Sequence, residues 1–264
     1  MKERPSFPVR LDFLGKPPKS SRLIPASVHK TLIQVMAPPG KLMLQGEGMN
    51  STAVRMNMVH KLSRQGITDP LVLSAMRTIE RHRFVDSAFI NQAYEDTSLP
   101  IGLGQTISKP GVVSRMLELL RNGAPGRLGR VLEIGTGCGY QAAVLSHLAQ
   151  EVYSIERLRG LHEKARENLR YLRLMNLHLL LADGMVGYAK GAPYAAIIAA
   201  AGGECIPQAW VDQLAVGGRL VAPVSAGTTA SGQQTLVVID KTPHGLRQTV
   251  LEAVHFVPLK SGVA

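Results

Sequence analysis

A short glycine-rich stretch offers the clearest chemistry in the sequence. Glu133 is followed by Gly135, Gly137 and Gly139, three glycines that alternate between a β-type run and a helical segment. Glycines in such a turn let the main chain pass close to a ligand and lead into a helix N-terminus with free N–H groups. A dinucleotide fingerprint needs its third glycine where this chain has Tyr140. The spacing therefore favours a mononucleoside ligand, with an ordinary strand-to-helix turn as the alternative.

Two further acids follow β-type runs. Glu156 ends the second run, 17 residues after Gly139, where a carboxylate can accept hydrogen bonds from both hydroxyls of a ribose. The alternative is a solvent-facing glutamate beside two arginines. Asp183 and Gly184 follow the third run, and the aspartate could contact an adenine amino group or cap the next helix. Because the carboxyl ends of parallel strands lie at one edge, these positions outline a single pocket.

The elements that position these residues alternate between strand and helix. From residue 130 onward the predicted strands are Val131–Ile134, Val152–Ile155, Leu177–Leu181, Ala195–Ala200 and, after a Gly217–Gly218 turn, Leu220–Pro223. Strands that alternate with helices predict a mostly parallel α/β sheet. The last two runs, Thr235–Ile239 and Val250–Val257, have a short connection, so the sheet is expected to finish antiparallel.

A helical region precedes this sheet. From Met56 apolar residues recur at helical spacing, and the break at residues 66–70 divides them into two helices. Residues 94–109 contain Pro100, Gly102 and Gly104 and are predicted to be a loop. A third helix is predicted over Gly111–Leu120.

The first part of the chain is basic and rich in proline. The net charge is +11, and residues 1–60 carry nine Lys or Arg against three acids, while the first 40 residues hold seven of the 16 prolines. Without a sustained apolar period, residues 1–58 are predicted to be a disordered extension. Such an arm is the only candidate contact for nucleic acid; a solvated extension or a misassigned start codon is the alternative.

The remaining composition argues against several classes of protein. Cys138 and Cys205 lack the CxxC spacing of a zinc site and are too few for a disulfide framework. His147 and His162 show no metal-ligand spacing, so no metal is predicted. No apolar run has the length of a signal peptide or a membrane span. We therefore expect a cytoplasmic protein that does not enter a membrane.

Several motifs resemble known families. The GxGxG turn with its leading acid, and the acid after the next strand, resemble S-adenosylmethionine-dependent methyltransferases with a Rossmann-like, doubly wound, seven-stranded sheet. Leu99–Ser108 (LPIGLGQTIS), Leu132–Gln141 (LEIGTGCGYQ) and Gly217–Val224 are similar to the protein-L-isoaspartate O-methyltransferase family. The resemblance covers roughly residues 60–262. It implies a domain over 59–264, made of N-terminal helices and a substrate loop (59–128), a cofactor-binding core (129–225) and a C-terminal hairpin (226–264).

The resemblance also implies a reaction and a set of roles. The reaction is transfer of a methyl group from S-adenosylmethionine to the free carboxylate of L-isoaspartyl residues in damaged proteins and peptides, which initiates repair through a succinimide. The residues implied to bind the cofactor are Glu133, Gly135, Gly137, Gly139, Glu156, Asp183 and Gly184. Ser108 is implied to lie at the reacting centre, with Gln105, Thr106 and Ile107 shaping the loop around it. From the residues alone, Ser108 could also be a turn hydroxyl that bonds its own backbone.

The chain departs from the family pattern in one region. Tyr194–Ile197 lacks the aspartate that usually begins the fourth strand of the family's sheet, and residues 201–205 contain two glycines in place of a proline-containing stretch. Two glycines are expected to loosen this loop. Two alternatives follow: a methyltransferase that acts on nucleic acid or a small metabolite, favoured by the basic charge, or an inactive cofactor-binding module. We expect a monomer whose partners are isoaspartyl proteins and peptides.

Overall fold

The computed structural model describes residues 47–225 and 233–264. Residues 1–46, which make up most of the predicted extension, lie outside the described residues, as does the connection 226–232. Helix α1 spans Glu47–Arg64. Residues 47–58, which we assigned to the extension, are therefore helical, and the regular structure begins earlier than the predicted boundary.

The predicted pair of helices is confirmed. Helix α2 (Pro70–Thr78) follows α1 after a short turn, and Asp69 caps it by accepting hydrogen bonds from the backbone N–H groups of Leu71 (2.9 Å) and Val72 (3.2 Å). Proline at the first helical position needs no N–H partner, which accounts for the start of the helix there.

The predicted loop over residues 94–109 contains a small hairpin. Strands β1 (Leu99–Gly102) and β2 (Gln105–Ile107) pair antiparallel. Apolar residues alternate along β1, where Leu99 and Ile101 are buried and their neighbours are exposed. The glycines that suggested a loop form the turn, because Gly102 and Gly104 have φ of 98° and 69°. Helix α3 (Pro110–Arg121) then matches its prediction closely.

The main sheet has seven strands and confirms the predicted class. Its elements are β3 (Leu128–Ile134), α4 (Tyr140–Leu148), β4 (Ala149–Glu156), α5 (Arg159–Leu169), β5 (Leu177–Leu181), β6 (Tyr194–Ala199), α6 (Gln208–Gln213), β7 (Leu214–Ser225), β8 (Gln234–Thr242) and β9 (Gly245–Val254). The strand order is β5-β4-β3-β6-β7-β8-β9. The first five are parallel, β8 pairs antiparallel with β7, and β9 pairs antiparallel with β8.

Apolar residues cover both faces of this sheet. Along β3, Val131 packs with helices α1 to α5 on one face, whereas Leu132 packs with Trp210 of α6 on the other. Because the central strands are buried on both faces, they read as continuous apolar runs. Their carboxyl ends form one edge, at which the glycine turn and the acids lie.

The Gly217–Gly218 pair does not form a turn before a strand. Strand β7 begins at Leu214 and runs through both glycines. The register against β6 shifts there, since Leu214 pairs with Tyr194 and Arg219 with Ala196. Gly217 has φ of 86°, so the glycines form a β-bulge inside one long strand.

The loop after β6 is held on two sides, contrary to the expectation that its glycines loosen it. The N–H of Gly202 donates to the carbonyl of Val257 (2.9 Å), and its carbonyl accepts from the N–H of Leu259 (2.8 Å). The carbonyl of Gly203 accepts from the N–H of Ser225 (2.9 Å). A Cβ at Gly202 would lie 2.4 Å from Nε2 of Gln234. Glycine is required here for close packing rather than for mobility.

Candidate active site

The glycine turn follows β3 and adopts left-handed backbone conformations. Gly135, Gly137 and Gly139 have φ of 90°, 56° and 92°. Gly139 precedes α4 as its N-cap residue, and a Cβ there would lie 2.8 Å from Cδ1 of Leu169 on α5. The N–H groups of Gly135 and Thr136 donate to the carbonyl of Ile155 at 2.9 and 3.1 Å. The turn is thus fixed to the end of β4, with no room for side chains at Gly139.

The carboxylate of Glu156 connects the glycine turn to α5. One oxygen accepts from the N–H of Gly137 and the other from the N–H of Leu158, both at 2.9 Å. Glu156 is only 5% exposed, so the solvent-facing alternative is wrong. Each oxygen keeps a second lone pair for a ligand hydroxyl.

Two neighbouring cavities lie beside Glu156. The larger, of about 250 Å³, lies between the ends of β3 and β4, Gly184, the hairpin residue Leu103 and the C-terminal segment 257–260. The smaller, of about 60 Å³, lies between the glycine turn and residues 105–108. Residues that line both cavities are Gln105, Gly135, Glu156 and Val257. A ligand could therefore extend from one cavity into the other.

An open groove meets the smaller cavity at Ser108. The groove has a volume of about 570 Å³ and lies between Ser98, Ser108, Lys109 and Val112 on one side and residues 253–256 on the other. Ser108 is half-buried and lines both spaces. Of the other loop residues, Gln105, Thr106 and Ile107 line the smaller cavity and not the groove.

Asp183 and Gly184 lie at the end of β5 and differ in their position. Asp183 caps a short 3-10 helix through the N–H of Met185 (2.8 Å), and its other oxygen accepts from the N–H of Gly262 (2.6 Å). Gly184 lines the larger cavity, and a Cβ there would lie 2.6 Å from Cγ2 of Ile134. The capping alternative for Asp183 is therefore real, and the carboxylate also holds the C-terminal segment.

Glu133 lies beneath the glycine turn and lines neither cavity. It is fully buried, and its Oε2 accepts from the hydroxyl of Ser154 at 2.5 Å. The hydroxyl oxygens of Ser154 and Thr136 are 2.6 Å apart. Burial raises the pKa of Glu133 to about 8, and the charge of Glu156 acts in the same direction, while hydrogen bonds from Ser154 and Gln141 oppose the shift.

Gln141 is a site residue that the sequence analysis missed. It lies in the first turn of α4, lines the smaller cavity and is 7% exposed, yet its Nε2 has no hydrogen-bond partner. Oε1 of the neighbouring Glu133 is likewise buried and unpartnered. Unpaired buried polar atoms are costly, so they mark a site that a polar ligand completes. The signal was present in the sequence as a polar residue directly after the glycine turn.

Other candidate groups have structural surroundings. Burial raises the pKa of Cys138 to about 11, so its thiol is a poor nucleophile at neutral pH. Within residues 47–225 and 233–264, no cluster of three or more His, Cys, Asp or Glu side chains could hold a metal ion. In the same ranges, no helix is long and apolar enough to cross a bilayer.

Known proteins similar to this chain were found by sequence and by structure. Residues 53–264 match the family model described as protein-L-isoaspartate(D-aspartate) O-methyltransferase. The protein-L-isoaspartate O-methyltransferase of Methylibium petroleiphilum is 54% identical over 261 residues, covering 98% of this chain and 96% of that protein. A solved structure of a protein-L-isoaspartate O-methyltransferase has a TM-score of 0.71 and 27% identity, covering 79% of this chain and 67% of that one. A Plasmodium falciparum structure in complex with S-adenosyl-L-homocysteine has a TM-score of 0.65 and 25% identity, covering 78% and 98%.

Proposed function

The chain belongs to the protein-L-isoaspartate(D-aspartate) O-methyltransferase family, and from this premise we propose how its residues divide the reaction. The enzyme transfers a methyl group from S-adenosylmethionine to the free carboxylate of L-isoaspartyl residues. The observation that carries the assignment of roles is that Ser108 lines both the smaller cavity and the open groove. The cofactor occupies the two cavities, and the damaged polypeptide enters from the groove.

The cavities fit the cofactor. The carboxylate of Glu156 accepts hydrogen bonds from the ribose hydroxyls in addition to those from Gly137 and Leu158. The main chain of Gly135 and Gly137 passes beneath the ligand, and Gly184 leaves room for the adenine in the larger cavity. Gln141 offers its unpartnered amide to the amino-acid end. When bound, S-adenosylmethionine supplies an electrophilic methyl group.

Ser108 orients the acceptor. A carboxylate is already ionised at neutral pH, so no general base is needed to activate it. The hydroxyl of Ser108 donates a hydrogen bond to one carboxylate oxygen and leaves the other free to attack. Lys109, exposed in the same groove, adds a positive charge that attracts the substrate carboxylate. Alignment and exclusion of water supply much of the rate.

The methyl ester then leads to repair without further catalysis. The N–H of the following residue attacks the ester carbonyl, methanol leaves, and a succinimide forms. Hydrolysis of this ring returns part of the material to a normal aspartyl linkage. The enzyme therefore contributes only the improved leaving group.

The test uses two peptides that differ only in an aspartyl or isoaspartyl linkage, with methyl-labelled cofactor. We expect base-labile label on the isoaspartyl peptide alone. Ser108→Ala removes a hydrogen bond to a charged group, which contributes about 1.5–3 kcal/mol, so kcat/KM should fall by roughly 10- to 150-fold while cofactor binding persists. Ser98→Ala is the matched control, because Ser98 lines the groove and not the smaller cavity. Equal labelling of both peptides would refute the assignment.

We also propose a cytoplasmic, monomeric enzyme whose partners are isoaspartyl proteins and peptides. Both cysteines are free thiols, which suits a reducing compartment. The extension 1–58 is the only part proposed as a contact for nucleic acid. Sedimentation of the full chain would test the monomer.

A further inference from the structure

We propose that Glu133, Ser154 and Thr136 form a hydrogen-bond relay that couples the protonation of Glu133 to the charge of the bound cofactor. The relay holds Glu133 ionised with the cationic methyl donor and protonated with the neutral thioether product. This inference rests on the proposed function, because it concerns the same cofactor site. None of the three side chains contacts the reacting atoms in this scheme, so they are positioning residues.

The relay is a continuous chain of buried groups. Ser154 Oγ donates to Oε2 of Glu133 at 2.5 Å, and Ser154 Oγ lies 2.6 Å from Thr136 Oγ1. Glu133 and Ser154 are fully buried and Thr136 is 4% exposed. Of the three, only Thr136 lines the smaller cavity. Thr136 is therefore the end of the relay that a ligand can contact.

Proton counting gives the relay two directions. Each hydroxyl carries one proton. When Glu133 is ionised, Ser154 donates to it, Thr136 donates to Ser154, and Thr136 presents only lone pairs to the cavity. When Glu133 is protonated on Oε2, it donates to Ser154, Ser154 donates to Thr136, and the proton of Thr136 is free to face the cavity.

The two directions suit different ligands. Lone pairs at Thr136 and a negative charge beneath the turn favour a cation, whereas a neutral ligand gives no reason to ionise a fully buried carboxylate. The groups packed around Glu133 do not neutralise it: β4 contributes Ser154 and the acid Glu156, α4 contributes Gln141, and the paired residue of β6 is Ile198. The donor brings the missing positive charge. Its methyl transfer removes that charge, and Glu133 then takes a proton from solvent.

Calorimetry of the whole protein measures this proton directly. S-adenosylmethionine or S-adenosylhomocysteine is titrated at pH 7 in two buffers of different ionisation enthalpy, which gives the number of protons released by each ligand. We expect the donor to release roughly 0.5–0.9 proton more than the product. By linkage, the donor should gain roughly three- to eightfold in affinity relative to the product between pH 6.5 and 7.5.

Three variants test whether the released proton comes from Glu133 and depends on the Thr136 hydroxyl. Glu133→Gln should remove the difference between the ligands, and what persists comes from the ligands' own amino groups. Thr136→Val removes the hydroxyl at nearly constant shape and should at least halve the difference, whereas Thr136→Ser should keep it. Equal proton release by both ligands in the wild type, or an unchanged difference in Thr136→Val, would overturn the relay. Absence of any cofactor binding would instead overturn the proposed function.

Discussion

Glu133→Gln should make the stability of the cofactor-free protein less sensitive to pH. The pKa of Glu133 is raised from 4.5 to about 8 by burial. A carboxyl that is harder to ionise in the folded state than in the unfolded state costs stability as pH rises between these two values. Each pKa unit corresponds to about 1.4 kcal/mol. Between pH 6 and pH 9 the wild type should therefore lose roughly 2–3 kcal/mol that the variant does not lose.

Thermal unfolding of both proteins at pH 6, 7, 8 and 9 measures this difference. For a domain of this size, 1 kcal/mol shifts Tm by about 2–4 °C, so the wild type should fall by roughly 4–12 °C relative to Glu133→Gln. His147 and His162, whose pKa values are lowered by burial, titrate in both proteins and cancel in the comparison. Parallel pH profiles for the two proteins would show that Glu133 is ionised throughout, and the reasoning would fail.

Two further predictions concern the turn and the helical addition. Gly139→Ala should weaken cofactor binding at least tenfold and cost about 1–3 kcal/mol, because its Cβ would lie 2.8 Å from an α5 side chain; Gly66→Ala, with a similar φ of 103° and nothing within 4 Å, should leave binding unchanged. Asp69→Ala should cost about 3–5 kcal/mol in denaturant unfolding, because it leaves the buried Arg121 without its carboxylate. Glu252→Ala breaks an exposed ion pair and should cost about 1 kcal/mol or less; equal losses would contradict the argument.

The sheet was predictable because its strands are chemically uniform. Strand β5 matches its predicted range, and β3 and β6 extend their predicted apolar runs by at most three residues at an end. Strands buried on both faces must be apolar throughout, so composition alone identifies them. The β1–β2 hairpin was missed because it has only seven strand residues and its glycines occupy the turn itself.

The errors at glycine pairs share one physical cause. Sequence reasoning treats Gly-Gly as freedom, whereas Gly217 forms a bulge and Gly202 lies against the side chain of Gln234. Which use applies depends on atoms far away in the sequence, here 32 residues on for Gly202. The missing aspartate before β6 is a departure of another kind. The turn it was expected to brace is held instead by Glu156 and by the carbonyl of Ile155.

The two glutamates of the motif also differ for a reason that spacing does not encode. Glu133 and Glu156 both lie near the carboxyl ends of neighbouring strands, and the pattern assigned both to the cofactor. Glu156 ends its strand and accepts two backbone N–H bonds, so its charge is stabilised while it faces both cavities. Glu133 precedes the end of its strand by one residue and lies opposite Ser154, so it is enclosed between strands with a single hydroxyl donor. That one-residue difference separates a carboxylate that contacts a ligand from one that acts through Thr136.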